Sequence, residues 1–272
     1  MRWRTSAAQP SVPRARRINV LPRALLTLAL LLCAAAARAE ENPFVEVPGA
    51  EFRSALPAGK AEVVPIRTFL LQRHPVTNGE FLAFVTAHPE WRRGAAPAAL
   101  TDAGYLADWS APLDPGPRAA ASQPVTQVSW FAAEAYCDAQ RARLPDWSEW
   151  ELAAAASATR RDARSDPAWR QQSLDWYARP GGKTLATVEQ GPANVYGLHD
   201  MHGLVWEWVH DFNSLLPADA DPEKFCGSGA LDVQQKENYA VLMRIAMLGS
   251  LRASYTGHLV GFRCARTAGS SP

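Results

Sequence analysis

The sequence predicts an irregular α+β domain in which short strands and short capped helices are joined by long loops. Two observations carry this. Ten tryptophans and twenty-one prolines in 272 residues favour a loop-heavy, aromatic-rich core over a helical bundle. Hydrophobic spacing also switches between period 2 and period 3.6 within short windows, so neither element type dominates.

In chain order, Phe44 to Phe52 alternates around Pro48-Gly49 and reads as strand, turn and strand. Val63 to Leu71 is a further strand. Thr77 is an N-cap with Glu80 as its capping-box partner, and Phe81, Leu82, Phe84 and Val85 repeat at helical spacing, which predicts a helix over 78–87. Pro89 to Pro124, rich in Ala, Pro and Gly, reads as a long surface excursion. Val125 to Val128 is a short strand, and Ser129 caps a helix with Phe131, Ala132, Ala135, Tyr136 and Ala139 on one face. Leu144-Pro145 closes that unit, and Ser148 begins another helix through Trp150 to Ala156. Ser157 to Gln172 carries dense mixed charge and reads as a solvated loop. Val195 to Asn213 is turn with strand, Lys236 to Leu251 is a helix, and the last seven residues, from Arg266, read as frayed.

The formal charge of +1 conceals an asymmetry, because the first 39 residues hold seven arginines and no acid. The remainder carries 21 basic against 27 acidic residues, which gives no electrostatic footprint for nucleic acid. Residues 1–39 read as an export signal. Arg14, Arg16, Arg17 and Arg23 precede an apolar run from Leu25 to Ala37 that is too short for a stable bilayer span. Ala37-Arg38-Ala39 places small residues ahead of a cut before Glu40. Arg16-Arg17 also fits twin-arginine export, and an uncleaved anchor is the alternative reading. Residues 40–272 then form a single periplasmic or secreted domain with three cysteines, Cys137, Cys226 and Cys264. In an oxidising compartment two of the three pair and one is left over.

Tyr196 to Trp208 concentrates two tryptophans, two carboxylates, two imidazoles and two glycines in thirteen residues. Large rings beside a glutamate bury a charge, and a buried charge must be paired or metal-bound. The stretch resembles the G-[LM]-x-[DN]-x-x-G-N-x-W-E-W signature of the sulfatase-modifying-factor family, the formylglycine-generating enzymes and their relatives. Four further blocks resemble that family in order: Val47-Pro48-Gly49 with Phe52, Pro75 to Phe81, Pro124 through Tyr136-Cys137 and Arg143-Leu144-Pro145 to Glu151, and Gly261-Phe262-Arg263-Cys264. The likeness covers 44–266. The Phe225-Cys226-Gly227 turn and the run from Gly203 to Asn213 resemble most the nitrite-reductase-associated members that lack the catalytic cysteines.

The resemblance implies a compact, irregular C-type-lectin-like α+β domain, opening on a hairpin at Val47 to Phe52. It also implies a Cys137–Cys264 disulfide, worth about 3–5 kcal/mol for a loop of more than ~100 residues. It further implies a calcium ion held by the side chains of Asp200 and Glu207 and the carbonyls of Gly203 and Val205, oxygen donors suited to a hard cation. The alternative is that Asp200 caps a turn and Glu207 pairs with an arginine such as Arg263.

The departure from the family is at its catalytic centre, where a C-x4-C pair after a G-G-S turn binds copper(I). Here Cys226-Gly227-Ser228-Gly229 resembles the turn, but Leu231 and Lys236 fall near the thiol positions, and one thiol cannot form a two-coordinate copper site. Cys226, Ser228 and Arg252 are the remaining catalytic candidates, and Arg244, Tyr239 and Trp206 are further pocket candidates by position. His199, His202, His210 and His258 are the candidates for copper or iron held in another way. Three functions follow as expectations. The first is an exported accessory or maturation factor acting on, or holding, a protein or peptide partner in the periplasm. The others are an oxidoreductase with a different metal site, and a calcium-dependent binding module without catalysis.

Overall fold

Residues 44–52 and 64–72 run antiparallel as one kinked ribbon. β1 (Phe44–Val47) pairs with β4 (Phe69–Gln72), and β2 (Ala50–Phe52) pairs with β3 (Val64–Ile66). The kink lies where Pro48-Gly49 faces Arg67-Thr68. A Cβ on Gly49 would sit 2.4 Å from the Ile66 carbonyl oxygen, and the Gly49 N–H donates to Thr68 Oγ1 at 3.0 Å. The expected opening hairpin is thereby corrected: Pro48-Gly49 bends a strand past its partner and does not fold β1 onto β2. The same bend splits the expected strand from Val63 to Leu71 into two.

This computed structural model describes residues 43–55, 63–177, 184–215 and 239–269, which fall in one compact unit, Pro43–Pro272. The expected export signal, Cys226 and Ser228 lie outside the described residues. β4 is central in a three-stranded sheet, flanked by β1 and by β7 (Ala265–Thr267). Arg266 and Thr267 are therefore strand and not frayed end, with Arg266 opposite Leu70 and its guanidinium 4.0 Å from the centre of the Phe44 ring. A parallel pair, β5 (Trp206–Trp208) with β6 (Val260–Phe262), forms the other part of the frame.

Helix α1 (Asn78–Ala87) starts at Thr77 as the sequence predicts. Thr77 Oγ1 accepts from the Glu80 N–H, and Glu80 Oε2 accepts from the Thr77 N–H at 2.7 Å. Helix α2 (Trp130–Ala139) is capped by Ser129, whose hydroxyl accepts from the Ala132 N–H at 3.1 Å. Helix α3 (Trp147–Ala154) is capped by Asp146 and not begun by Ser148: Glu149 Oε2 accepts from the Asp146 N–H, setting the Asp-x-x-Glu register earlier. Helix α4 (Pro167–Tyr177) replaces part of the expected solvated loop. Its start is a legible signal, since Asp166 accepts from the Ala168 N–H ahead of a first-turn proline. Helix α5 (Tyr239–Gly249) lies within the predicted span.

The core is aromatic. Phe81, Tyr136 and Phe262 contact one another at 5.3–6.2 Å between ring centres, with Trp109 edge-on to Phe81. Burial pushes the Tyr136 phenol above its ordinary range. Trp109 comes from the Pro89 to Pro124 excursion, which also buries Tyr105 and Leu106, so that segment is part of the core and not a surface loop. Trp109 Nε1 donates to Asn78 Oδ1 at 2.9 Å, tying it to the first turn of α1. Val125 to Val128 forms no strand. Val125 N–H pairs with the Val76 carbonyl, and Gln127, at φ +58°, then turns the chain away.

Cys137 on α2 and Cys264 beyond β6 are bonded, with Cα atoms 5.5 Å apart across 127 residues. Gln72 clamps the same point. Its side-chain oxygen accepts from the Cys264 N–H at 2.7 Å, and its own N–H donates to the Cys264 carbonyl at 2.9 Å. Helix, ribbon and C-terminal strand thus meet at one covalent junction.

Candidate functional site

The Trp-Glu-Trp segment is β5, and its position is set by a close backbone approach. Glu207 lies opposite Gly261, where a Cβ would come within 2.7 Å of the Val125 carbonyl oxygen, so only glycine fits there. Trp208 is buried, and its indole N–H donates to the Val128 carbonyl at 3.0 Å. Trp206 is half-buried.

Glu207 is fully buried, and so is Arg263. Arg263 Nε donates to Glu207 Oε2, and Nη2 donates to Oε1, both at 2.9 Å. Trp150 Nε1 adds a third donor to Oε2 at 2.8 Å. The other Arg263 protons reach the backbone oxygens of Gln72 (3.1 Å), Arg73 (3.3 Å) and His199 (2.9 Å). One guanidinium therefore joins β4, β5 and the turn that precedes β5. Breaking such a pair is costly because the survivor is a buried, uncompensated charge.

That turn is tight. Asp200 adopts φ +56° and Gly203 φ +99°, and Asp200 Oδ2 accepts from the Glu189 N–H at 2.7 Å. Of the four expected calcium donors, Glu207 thus has both oxygens in contact with a guanidinium, and Asp200 closes a turn. A dication at Glu207 competes with Arg263, so the donor set does not fit calcium as arranged. The corresponding test is thermal: midpoints in excess calcium and in chelator are expected to agree within about 1 °C, whereas saturated native-state binding raises the midpoint by several degrees.

Arg244, on α5, is fully buried with its guanidinium 3.7 Å from the centre of the Trp150 ring and 5.7 Å from that of Trp206. The structure thus brings together two of the sequence-predicted pocket residues, Arg244 and Trp206, through Trp150. Arg252 is exposed at the end of that helix and does not join them.

The four candidate histidines go to four places. His199 Nδ1 meets the Gly191 carbonyl and His202 Nε2 that of Ala154, both at 2.9 Å. His210 Nδ1 lies 3.8 Å from Glu134, and His258 Nδ1 lies 3.0 Å from Asp108. Among the described residues no three His, Cys, Asp or Glu side chains converge as metal donors.

His202 stands edge-on to Trp150 and Trp169, and burial pushes its pKa down to about 4. The sign follows. Between the unfolded value near 6.5 and the folded value near 4, only the unfolded state takes up the proton, so stability falls as pH falls through that window. The loss reaches about 3 kcal/mol at most, and Glu151, whose carboxyl is raised by burial, offsets part of it because acidification relieves its buried charge. Urea unfolding at pH 7 and pH 4.5 checks this, with His202→Gln expected to flatten the dependence.

Two partners of this region escaped the sequence reading. Trp150 is the second donor group to Glu207, a contact between residues 57 apart that no local pattern marks. Glu151 is a second buried carboxylate, held by Ser54 Oγ, the Ala55 N–H at 2.8 Å and Trp147 Nε1 at 3.0 Å, with Arg164 at 3.8 Å. Trp147 and Glu151 are four apart on one helix, which was the available signal.

Comparison with known proteins finds relatives of the chain as a whole. Residues 32–268 match the family described as Sulfatase-modifying factor enzyme 1-like domain. The chain is 29% identical to the inactive C-alpha-formylglycine-generating enzyme 2 of Mus musculus, over 92% of this chain and 94% of that one. It is 30% identical to the formylglycine-generating enzyme of Mycobacterium tuberculosis, covering 61% of this chain and 72% of the enzyme. It is 33% identical to hercynine oxygenase of the same organism over 55% of this chain, a match that spans 39% of that enzyme's length. Among solved structures, CarF superposes with a TM-score of 0.48 at 19% identity (82% of this chain, 97% of that one) and PvdO from Pseudomonas aeruginosa with 0.46 at 20% (82% and 94%).

Proposed function

Because the chain belongs to the sulfatase-modifying factor enzyme 1-like family, we propose that it is an exported accessory or maturation factor that holds, or acts on, a partner protein without the family's copper-dependent cysteine oxidation. The observation that carries this reading is the Cys137–Cys264 disulfide. Four cysteines occur in the whole chain, and this bond leaves Cys33, inside the expected signal, and Cys226. Copper(I) in a two-coordinate thiolate site needs two soft donors, and one mature thiol remains. Likeness over nearly the full length to a mouse relative whose name declares it inactive supports the same reading.

An oxidoreductase using another metal would need donors that converge, and His199, His202, His210 and His258 each serve a different acceptor. A calcium-dependent binding module would need Glu207 free of Arg263. The accessory reading needs neither change. Copper(I) titration of signal-cleaved protein against a competing chelator tests it: no tight equimolar binding is expected, and Cys226→Ala should change nothing.

A further inference from the structure

A groove of about 430 Å³ opens between the start of α2 and the Phe212–Ser214 turn, and neither Glu207 nor Arg263 lines it. Its walls are the rings of Trp130, Phe131 and Phe212, and its rim carries His210, Asp211 and Asn213. Trp130 is fixed in place, because its indole N–H donates to the Val209 carbonyl at 3.0 Å and its ring lies about 6 Å from those of His210 and Phe212. Trp130 and Phe131 are each only half-buried.

The groove lining carries one carboxylate and one imidazole, and Arg143, the cation whose charge reaches Glu134 and Asp146, is engaged bidentately by Glu149. No lysine or arginine is among the residues that line the groove. Asp211 gives one oxygen to the Trp147 N–H at 2.8 Å and has no cationic partner among the described residues. Glu134 Oε1 lies 3.8 Å from the exposed His210, while Glu134 Oε2 is buried with no hydrogen-bond partner among the described residues. Asp146, next to Trp147, has its carboxyl raised by burial and by the charges of Glu149 and Asp211, against the opposing charges of Arg143 and His210. An apolar segment laid here would desolvate Asp211 with nothing to compensate it, which is unfavourable. A cation on an indole face beside a carboxylate gains from both.

We propose that this groove docks a basic side chain, arginine or lysine, carried by an extended segment of the partner protein, with the cation stacked on Trp130 and facing Asp211 and Glu134. The proposal rests on the accessory-factor reading for the existence of a partner, but its test does not, since peptide binding and copper binding are measured separately.

The experiment titrates ¹⁵N-labelled, signal-cleaved protein with acetyl-Ala-Arg-Ala-amide and follows the Trp130 indole N–H, assigned with Trp130→Phe. A saturable shift is expected with Kd near the low millimolar range, weakened about threefold or more by Asp211→Asn, by Glu134→Gln and by high salt. Asp211→Asn keeps an oxygen for the Trp147 N–H, so the start of α3 is preserved. Acetyl-Ala-norleucine-Ala-amide is expected to produce no saturable shift. An equal response to the norleucine peptide, a response to a neutral oligosaccharide in place of the arginine peptide, or no saturation by about 20 mM would each overturn the proposal.

Discussion

Exchanging Glu207 for glutamine is expected to destabilise the domain by about 3–5 kcal/mol, read as a shift in the urea midpoint at constant slope. The side chain keeps its size, so packing around Trp150 and Trp208 is nearly unchanged and electrostatics decides the result. Arg263 retains its charge with no exposure to water, and the amide of the new side chain can turn only one oxygen toward a guanidinium that now uses two. Arg263→Met should cost at least as much, because it also leaves the carbonyls of Gln72, Arg73 and His199 without this donor. Replacing both residues by apolar ones should recover only part of the loss for the same reason. A cost below about 1 kcal/mol for Glu207→Gln would mean the pair is open to solvent or replaced by another ligand.

The second large effect concerns the covalent junction. Converting Cys137 and Cys264 together to alanine is expected to remove about 4–5 kcal/mol, since the bond closes a loop of 127 residues in the unfolded chain. Typical domains hold only about 5–15 kcal/mol in all, so the double variant should sit close to its unfolding threshold at physiological temperature. Reducing agent should lower wild-type stability once the protein is unfolded enough to expose the bond, and should leave the double variant unaffected. Insensitivity of both to reductant would show that the thiols are free in the mature protein.

The local signals were the legible ones. Thr77 with Glu80 fixed the start of α1, and Ser129 fixed that of α2, because caps depend on residues three apart. The disulfide came from family resemblance and the Arg263 pairing from the ordinary alternative to a metal at Glu207, and both are present in the structure. What escaped depends on distant partners. Pro48-Gly49 reads as a turn until residues 64–72 are seen lying alongside. Arg266 reads as frayed until Leu70 is found opposite it. The excursion that buries Trp109 is rich in Ala, Pro and Gly, which reads as loop, and it gains its place through distant contacts such as Trp109 to Asn78 and Leu106 to Gln127. The site divides in the same way: Trp206 and Arg244 were named by position, but the ring that joins them, Trp150, lies on another helix. Asp166-Pro167 is the exception, a local start signal that dense charge concealed.

The fate of a substrate cysteine separates a non-oxidising family member from a catalytic one. Signal-cleaved protein, loaded with copper(I) and supplied with oxygen and a Cys-x-Pro-x-Arg peptide, is to be followed by mass spectrometry of the peptide. The peptide cysteine is expected to stay unconverted at every copper concentration. Formylglycine appearing in proportion to enzyme, and vanishing in Cys226→Ala, would contradict the assignment and return this chain to the catalytic members of its family.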